Sequence, residues 1–228
     1  MSTALGEINV SGGRAARAKV ASFVQKQGAI VALAIVCIFA ALRYPRFLTE
    51  ENVLNVLRQN SMLGLVALGM TFVILTGGID LSVGALLAVA GVVAANFAGY
   101  GTFPAIVAGV GTATVLGFVN GLVISRARIQ PFIVTLAMMI AARGVALAAT
   151  GEQSVRVSRV SPGFTALGRG WAGPVPMPVL ILLVAFALLW LILRYTRFGR
   201  HVYAVGDNEE AARLMGLNVG RVQVGVTH

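Results

Sequence analysis

The sequence predicts an all-α, polytopic membrane bundle of about six spanning helices, with a break in the helical run near residues 76–82. Three observations carry this reading. Of the 228 residues, 57% are hydrophobic and 11% charged, where an average soluble domain has roughly 25% charged. Two long stretches carry no charge at all, Met62 to Ile79 and Phe103 to Ile124; each reaches the roughly 18 to 22 residues that cross a bilayer's hydrocarbon. Within this apolar expanse stands Asp80, the sole acid between Glu51 and Glu152.

The elements follow in order. Residues 1–27 form a basic arm, with Arg14, Arg17, Lys19 and Lys26 against Glu7. The apolar segment after it lacks a clean small-residue cleavage site, so an uncleaved first span is expected. The bundle, residues 28–193, reads as spans at Gly28 to Leu42, Ser61 to Ile79, Leu81 to Gly99, Phe103 to Ile124, Gln130 to Thr150 and Val175 to Leu193. The first is short, rising about 22 Å at 1.5 Å per residue, and snorkelling of Lys26 and Arg43 supplies the rest. Residues 43–60 are expected as an outer-face connection. It would hold a short helix capped by Thr49, with Glu50 and Glu51 in its first turn, lying on the membrane surface through Val53, Leu54, Val56 and Leu57. Residues 194–228 form the tail.

Lys and Arg accumulate on cytoplasmic flanks. With the N-terminus inside, the arm, Arg126, Arg128, Arg194, Arg197, Arg200, Arg213 and Arg221 place eleven basic residues in the cytoplasm. Six lie outside: Arg43, Arg46, Arg58, Arg156, Arg159 and Arg169. The inside-start orientation is therefore expected. The net charge of +10 sits at the ends of apolar runs, suited to anionic lipid. No basic stripe is interleaved with aromatics, so nucleic acid is not an expected partner.

The catalytic inventory is poor. Cys37 is the only cysteine, so no intrachain disulfide forms. His201 and His228 lie outside the spans, and no His, Cys and acid cluster has metal spacing. Neither Lys19 nor Lys26 follows a GxxxxG, and no Gly-x-Ser-x-Gly elbow occurs. The chain is not expected to be an enzyme, nor to carry a cofactor or metal.

What remains is a set of polar and glycine residues at membrane depth. Gly77 and Gly78 release the backbone from helical geometry, and Asp80 is suited to accept from the N–H groups that open the next helix. A carboxylate at membrane depth costs about 2.5 to 3.5 kcal/mol and usually faces a bundle interior or a watery path. Broken helices with exposed backbone also line substrate cavities in transporters. Cap and path are compatible roles for Asp80, with Ser82 beside it. Asn96, Asn120, Thr135 and Arg143 are the other polar residues within spans. Asn120 lies in Gly117-Phe-Val-Asn-Gly121, a GxxxG that suits close helix packing. Arg143 lies roughly 10 Å from the outer end of its span by helical rise; it fits outward snorkelling and a pathway role equally, and pairs poorly with Asp80 across opposite faces.

Three stretches, "GMTFVILTGGIDLSVGALLAVAGVVAA" at 69–95, "GFVNGLVISRARIQPFIVTLAMMIAARGVALAATG" at 117–151 and "RFGRHVYAVGDNEEAARLMGLNV" at 197–219, together resemble the sugar-type permease subunits of bacterial ABC importers. The resemblance implies an inner-membrane subunit that dimerises, or pairs with a sister subunit, around a translocation path. It further implies two ATP-binding subunits docked from the cytoplasm and a periplasmic sugar-binding protein outside. On this resemblance Asp80, Ser82, Gly77, Gly78, Asn120, Thr135 and Arg143 are the candidate path or gate. Glu209, Glu210, Ala211, Ala212, Arg213 and Gly216 look like the EAA loop that couples importer permeases to their ATPases. As physics, "DNEEAARLMG" reads as a short helix capped by Asp207 or Asn208 and ended by Gly216, offering Leu214 and Met215 as an apolar knob. Members of that family run on into further spans, so the chain is expected to cover about two thirds of a permease. A monosaccharide would move inward by alternating access. A non-transporting interaction protein and a secondary transporter are the other readings the residues allow.

Overall fold

The computed structural model describes residues 10–155 and 161–227, with side chains from Gln27 onward. Residues 1–9 of the basic arm, Arg156 and Arg159 of the counted outer loop, and His228 lie outside the described residues. The chain divides into two compact units, residues 1–55 and 56–228, each taken by itself below.

In the first unit, α1 (Val10–Arg43) is interrupted at Gln27, whose φ of −123° and ψ of 24° are not helical. Its apolar part, Gln27–Arg43, is shorter than the helices that meet spanning length. A turn follows, and Thr49 then accepts from the N–H of Asn52 at 3.4 Å, opening α2 (Glu50–Leu75). The cap is the expected one, but the short surface helix is not a separate element. Nothing between Glu50 and Met62 is glycine or proline, so no residue stops helical propagation, and the connector is the start of a 26-residue helix.

The second unit continues with α3 (Val83–Phe97), a single 3-10 turn Ala98–Tyr100, α4 (Thr102–Ala127) and α5 (Pro131–Thr150). Beyond α5 come α6 (Pro162–Arg169), a two-residue hairpin of β1 (Trp171–Ala172) with β2 (Val175–Pro176), and α7 (Met177–Tyr195). The tail is three short helices, α8 (Arg197–Asp207), α9 (Glu209–Leu214) and α10 (Val219–Thr227). Among the described residues, α2, α3 with its 3-10 turn, α4, α5 and α7 are long and apolar enough to cross a membrane.

Small residues set the packing. A Cβ at Gly109 of α4 would sit 3.0 Å from Ala94 Cβ and 3.1 Å from the Ala90 carbonyl oxygen of α3, so these helices cross with backbones nearly touching. Gly117 and Gly121 of the GxxxG are both buried. A Cβ at Gly121 would overlap Thr227 and Val224 of α10, so this glycine seats the tail on α4. One apolar cluster joins Ala85, Leu86, Val89, Ala142 and Ala146 of α3 and α5. A second gathers Phe72 at the end of α2 with Val202, Val205, Ala212, Val219 and Val222 of the tail. Most other large apolar side chains on the spanning helices face outward, as helices that meet lipid require.

Candidate functional site

The site begins where α2 stops. Gly77 takes a φ of +75°, which costs glycine nothing. Its N–H donates to the Ile74 carbonyl at 2.9 Å, and that of Gly78 reaches back to Val73 at 3.0 Å. This is the paired Schellman closure of a helix C-terminus, with glycine at its left-handed position. The helix is ended by sequence-encoded chemistry, and the chain is released into residues 78–82 before α3 starts.

Asp80 holds this segment. Its Oδ1 accepts from the Ser82 N–H at 2.7 Å and from the Ser82 hydroxyl at 2.6 Å. Ser82, not Asp80, is the residue at the N-cap of α3, and its side chain caps no helical N–H. The carboxylate therefore stabilises the turn that enters α3 and not the helical N–H groups themselves. Two neighbouring helices complete the hold. Asn120 of α4 donates from Nδ2 to the Ser82 hydroxyl at 3.0 Å. The Thr135 hydroxyl of α5 accepts from the Leu81 N–H at 3.1 Å, and has the Ile79 and Phe132 carbonyls as acceptors, each at 3.3 Å.

All four side chains are buried: Asp80 is 7% exposed, Asn120 1%, and Ser82 and Thr135 fully enclosed. The hydrogen bonds run in series from Asn120 Nδ2 to the Ser82 hydroxyl and from that hydroxyl to Asp80 Oδ1. Among the described residues one buried polar side-chain atom is left over, Asn120 Oδ1, which has no hydrogen-bond partner. Asp80 also borders a cavity of about 250 Å³ whose other walls are mainly apolar, among them Val66, Met70, Val73, Leu86 and Leu87. No cation pairs with the carboxylate among the described residues. Arg143 stands exposed on α5 and takes no part in the network.

The tail residues lie beside this break. Asn208 caps α9 by accepting from the Ala211 N–H at 2.9 Å, Glu209 pairs with Arg213 at 2.6 Å, and Ala212 is fully buried in the tail cluster. The end of α9 repeats the closure of α2. Gly216 has a φ of +83°, with Gly216 N–H donating to Arg213 and Leu217 N–H to Ala212, both at 3.0 Å. Leu214 and Met215 are 85% and 72% exposed. Glu209 and the pair Gly77 and Gly78 line one small cavity of about 120 Å³.

Of the path candidates, the structure brings together Asp80, Ser82, Asn120 and Thr135, sets Gly77 and Gly78 at the break they hold, and leaves Arg143 apart. Gly206 is a contact the sequence reading missed: a Cβ there would overlap the Leu75 carbonyl. The available signal was a glycine inside the strongly amphipathic run Arg197–Asp207, where glycine weakens a helix unless a neighbour needs the space. Among the described residues no group of His, Cys, Asp and Glu has the spacing to hold a metal ion.

Residues 52–227 match the family model described as "Branched-chain amino acid transport system / permease component". The ribose import permease protein RbsC of Bacillus subtilis is 44% identical over 203 residues, covering 88% of this chain and 63% of its own length. The ribose import permease of Escherichia coli K12 is 39% identical, covering 89% and 64%. The galactofuranose transporter permease protein YtfT of the same organism is 37% identical, covering 87% and 60%. The chain thus spans less than two thirds of the length of these relatives. No solved structure gives a significant match. The resemblance carried by the three stretches is borne out, and the chain belongs to this family of membrane permease components.

Proposed function

We propose that the chain forms the membrane-spanning core of a permease subunit in an ATP-driven importer, passing a monosaccharide inward by alternating access. The observation that supports this reading is that Glu209 of α9 and the Gly77–Gly78 pair of the break line one cavity. The names of the relatives, ribose and galactofuranose permeases, supply the substrate class.

In this reading the N-terminus and the tail are cytoplasmic. Two ATP-binding subunits dock at Glu209–Gly216, a periplasmic sugar-binding protein delivers the sugar, and two permease subunits, identical or sister, enclose the path. The break supplies the moving part. Its ends are defined by the Gly77 closure and by Ser82, and its middle is held by hydrogen bonds that can be exchanged without unfolding either helix. Asp80, bordering the apolar cavity, gives the path a buried acceptor.

Coupling is tested by replacing Glu210 and Gly216 in the full chain assembled with its ATP-binding subunits. ATP hydrolysis is expected to persist while labelled sugar uptake falls. Uptake at the wild-type rate would remove the coupling assignment.

A further inference from the structure

We propose that the surface receiving the ATP-binding subunit is composite: the turn between α4 and α5, acting through Arg128, forms the wall opposite α9. The proposal rests on the coupling reading and adds a second anchor to it. A cleft of about 720 Å³ opens between Arg128–Pro131 on one side and Glu209, Arg213 and the backbone around Gly216 on the other. Arg128 ends α4 in the left-handed region, at φ 54° and ψ 34°, where glycine is the usual residue. A non-glycine side chain held in that region against backbone preference points to use of the side chain.

Charge sharpens the assignment. Arg213 is already paired with Glu209 at 2.6 Å, whereas Arg128 is exposed and makes no ion pair with the described residues. The cleft therefore presents one uncompensated cation. Leu214 and Met215 follow Arg213 in the chain, 85% and 72% exposed, and add apolar area where a soluble surface would place polar groups. An exposed cation on one wall of the cleft, with an exposed apolar pair between Arg213 and Gly216 of the other wall, suits a protein partner better than a small anion, since apolar cores with polar rims are how protein interfaces are built. The occupant is thus a face of the ATP-binding subunit that sets a carboxylate against Arg128 and an apolar pocket against Leu214 and Met215.

The test co-expresses the full chain with a tagged ATP-binding subunit and purifies the pair from membranes. Arg128→Glu is expected to lower recovery at least tenfold. Arg128→Gly, which relieves the backbone while removing the cation, should lower it several-fold with the chain still folded. Arg126→Glu, a charge reversal two residues away and outside the cleft, should leave recovery unchanged. Wild-type recovery with Arg128→Glu, or an equal loss with Arg126→Glu, would overturn the composite surface while leaving the coupling reading intact. So would a change confined to retention of phosphatidylglycerol in nanodiscs, which would make the cleft a lipid site. If the wild-type chain recovers no ATP-binding subunit, the coupling reading itself fails and takes this surface with it.

Discussion

Gly206 of α8 lies against the carbonyl of Leu75, the last residue of α2, so closely that a Cβ at 206 would overlap it. That carbonyl belongs to the final turn of α2, where no helical N–H follows to take it. Phe72 of α2 and Phe198 of α8 stack nearby with ring centroids 6.4 Å apart. The tail therefore touches the membrane bundle at the residue where the break begins, and in the proposed coupling a displacement of α8 reaches Gly77 through this contact.

Gly206→Ala should force the two backbones apart. Overpacking of this kind costs about 1 to 3 kcal/mol, so the melting temperature in detergent should fall. With the full assembly, sugar uptake should fall more than ATP hydrolysis does. An unchanged melting temperature would show that the contact is not maintained.

Thr135→Val keeps the shape of the side chain and removes the acceptor of the Leu81 N–H. Leaving a buried donor unsatisfied costs about 1 to 3 kcal/mol. Thr135→Ser, which keeps the hydroxyl, should retain most of the stability. Equal thermal unfolding of the Val and Ser variants would argue that α5 does not hold the break.

At position 80 two substitutions separate shape from charge. Asp80→Asn keeps an oxygen to accept from Ser82, so stability should change by less than about 1 kcal/mol, the net worth of an ordinary hydrogen bond. Asp80→Ala strands the Ser82 N–H and hydroxyl in a buried place and should cost about 1 to 3 kcal/mol. A path role predicts that Asn, although stable, still lowers uptake; full uptake with Asn would confine Asp80 to a structural role.

In α9 the glycine should matter more than the ion pair. Gly216→Ala puts a Cβ at a φ of +83°, for about 1 to 2 kcal/mol. Glu209→Gln breaks a pair whose side chains are 48% and 61% exposed, worth about 0.3 to 0.5 kcal/mol at this helical spacing. Thermal shifts in the opposite order would contradict this ranking.

The spans after the first were legible because apolar runs of bilayer length have few other uses, and the break at 76–82 because glycine marks it. The beginning of α2 was misread. Residues 50–60 mix apolar with polar side chains as an interfacial helix would, yet only a breaker could have separated them from the apolar run behind. Asp80 and Ser82, two residues apart, were readable together. Their hold by Asn120 and Thr135 was not, because those partners stand 38 and 54 residues away from Ser82 and Leu81, and only packing decides which polar side chains of separate helices meet. Gly206 shows the same limit: its purpose lies in the neighbour it admits.

In the proposed function this chain provides the membrane passage of an ATP-driven sugar importer. The most direct measurement is accumulation of labelled ribose in proteoliposomes holding the full chain, its ATP-binding subunit and its periplasmic binding protein. Uptake is expected to require both ATP and the binding protein, and to fall with Gly216→Ala. Uptake driven by an ion gradient without ATP, or none from any assembly containing the chain, would contradict it.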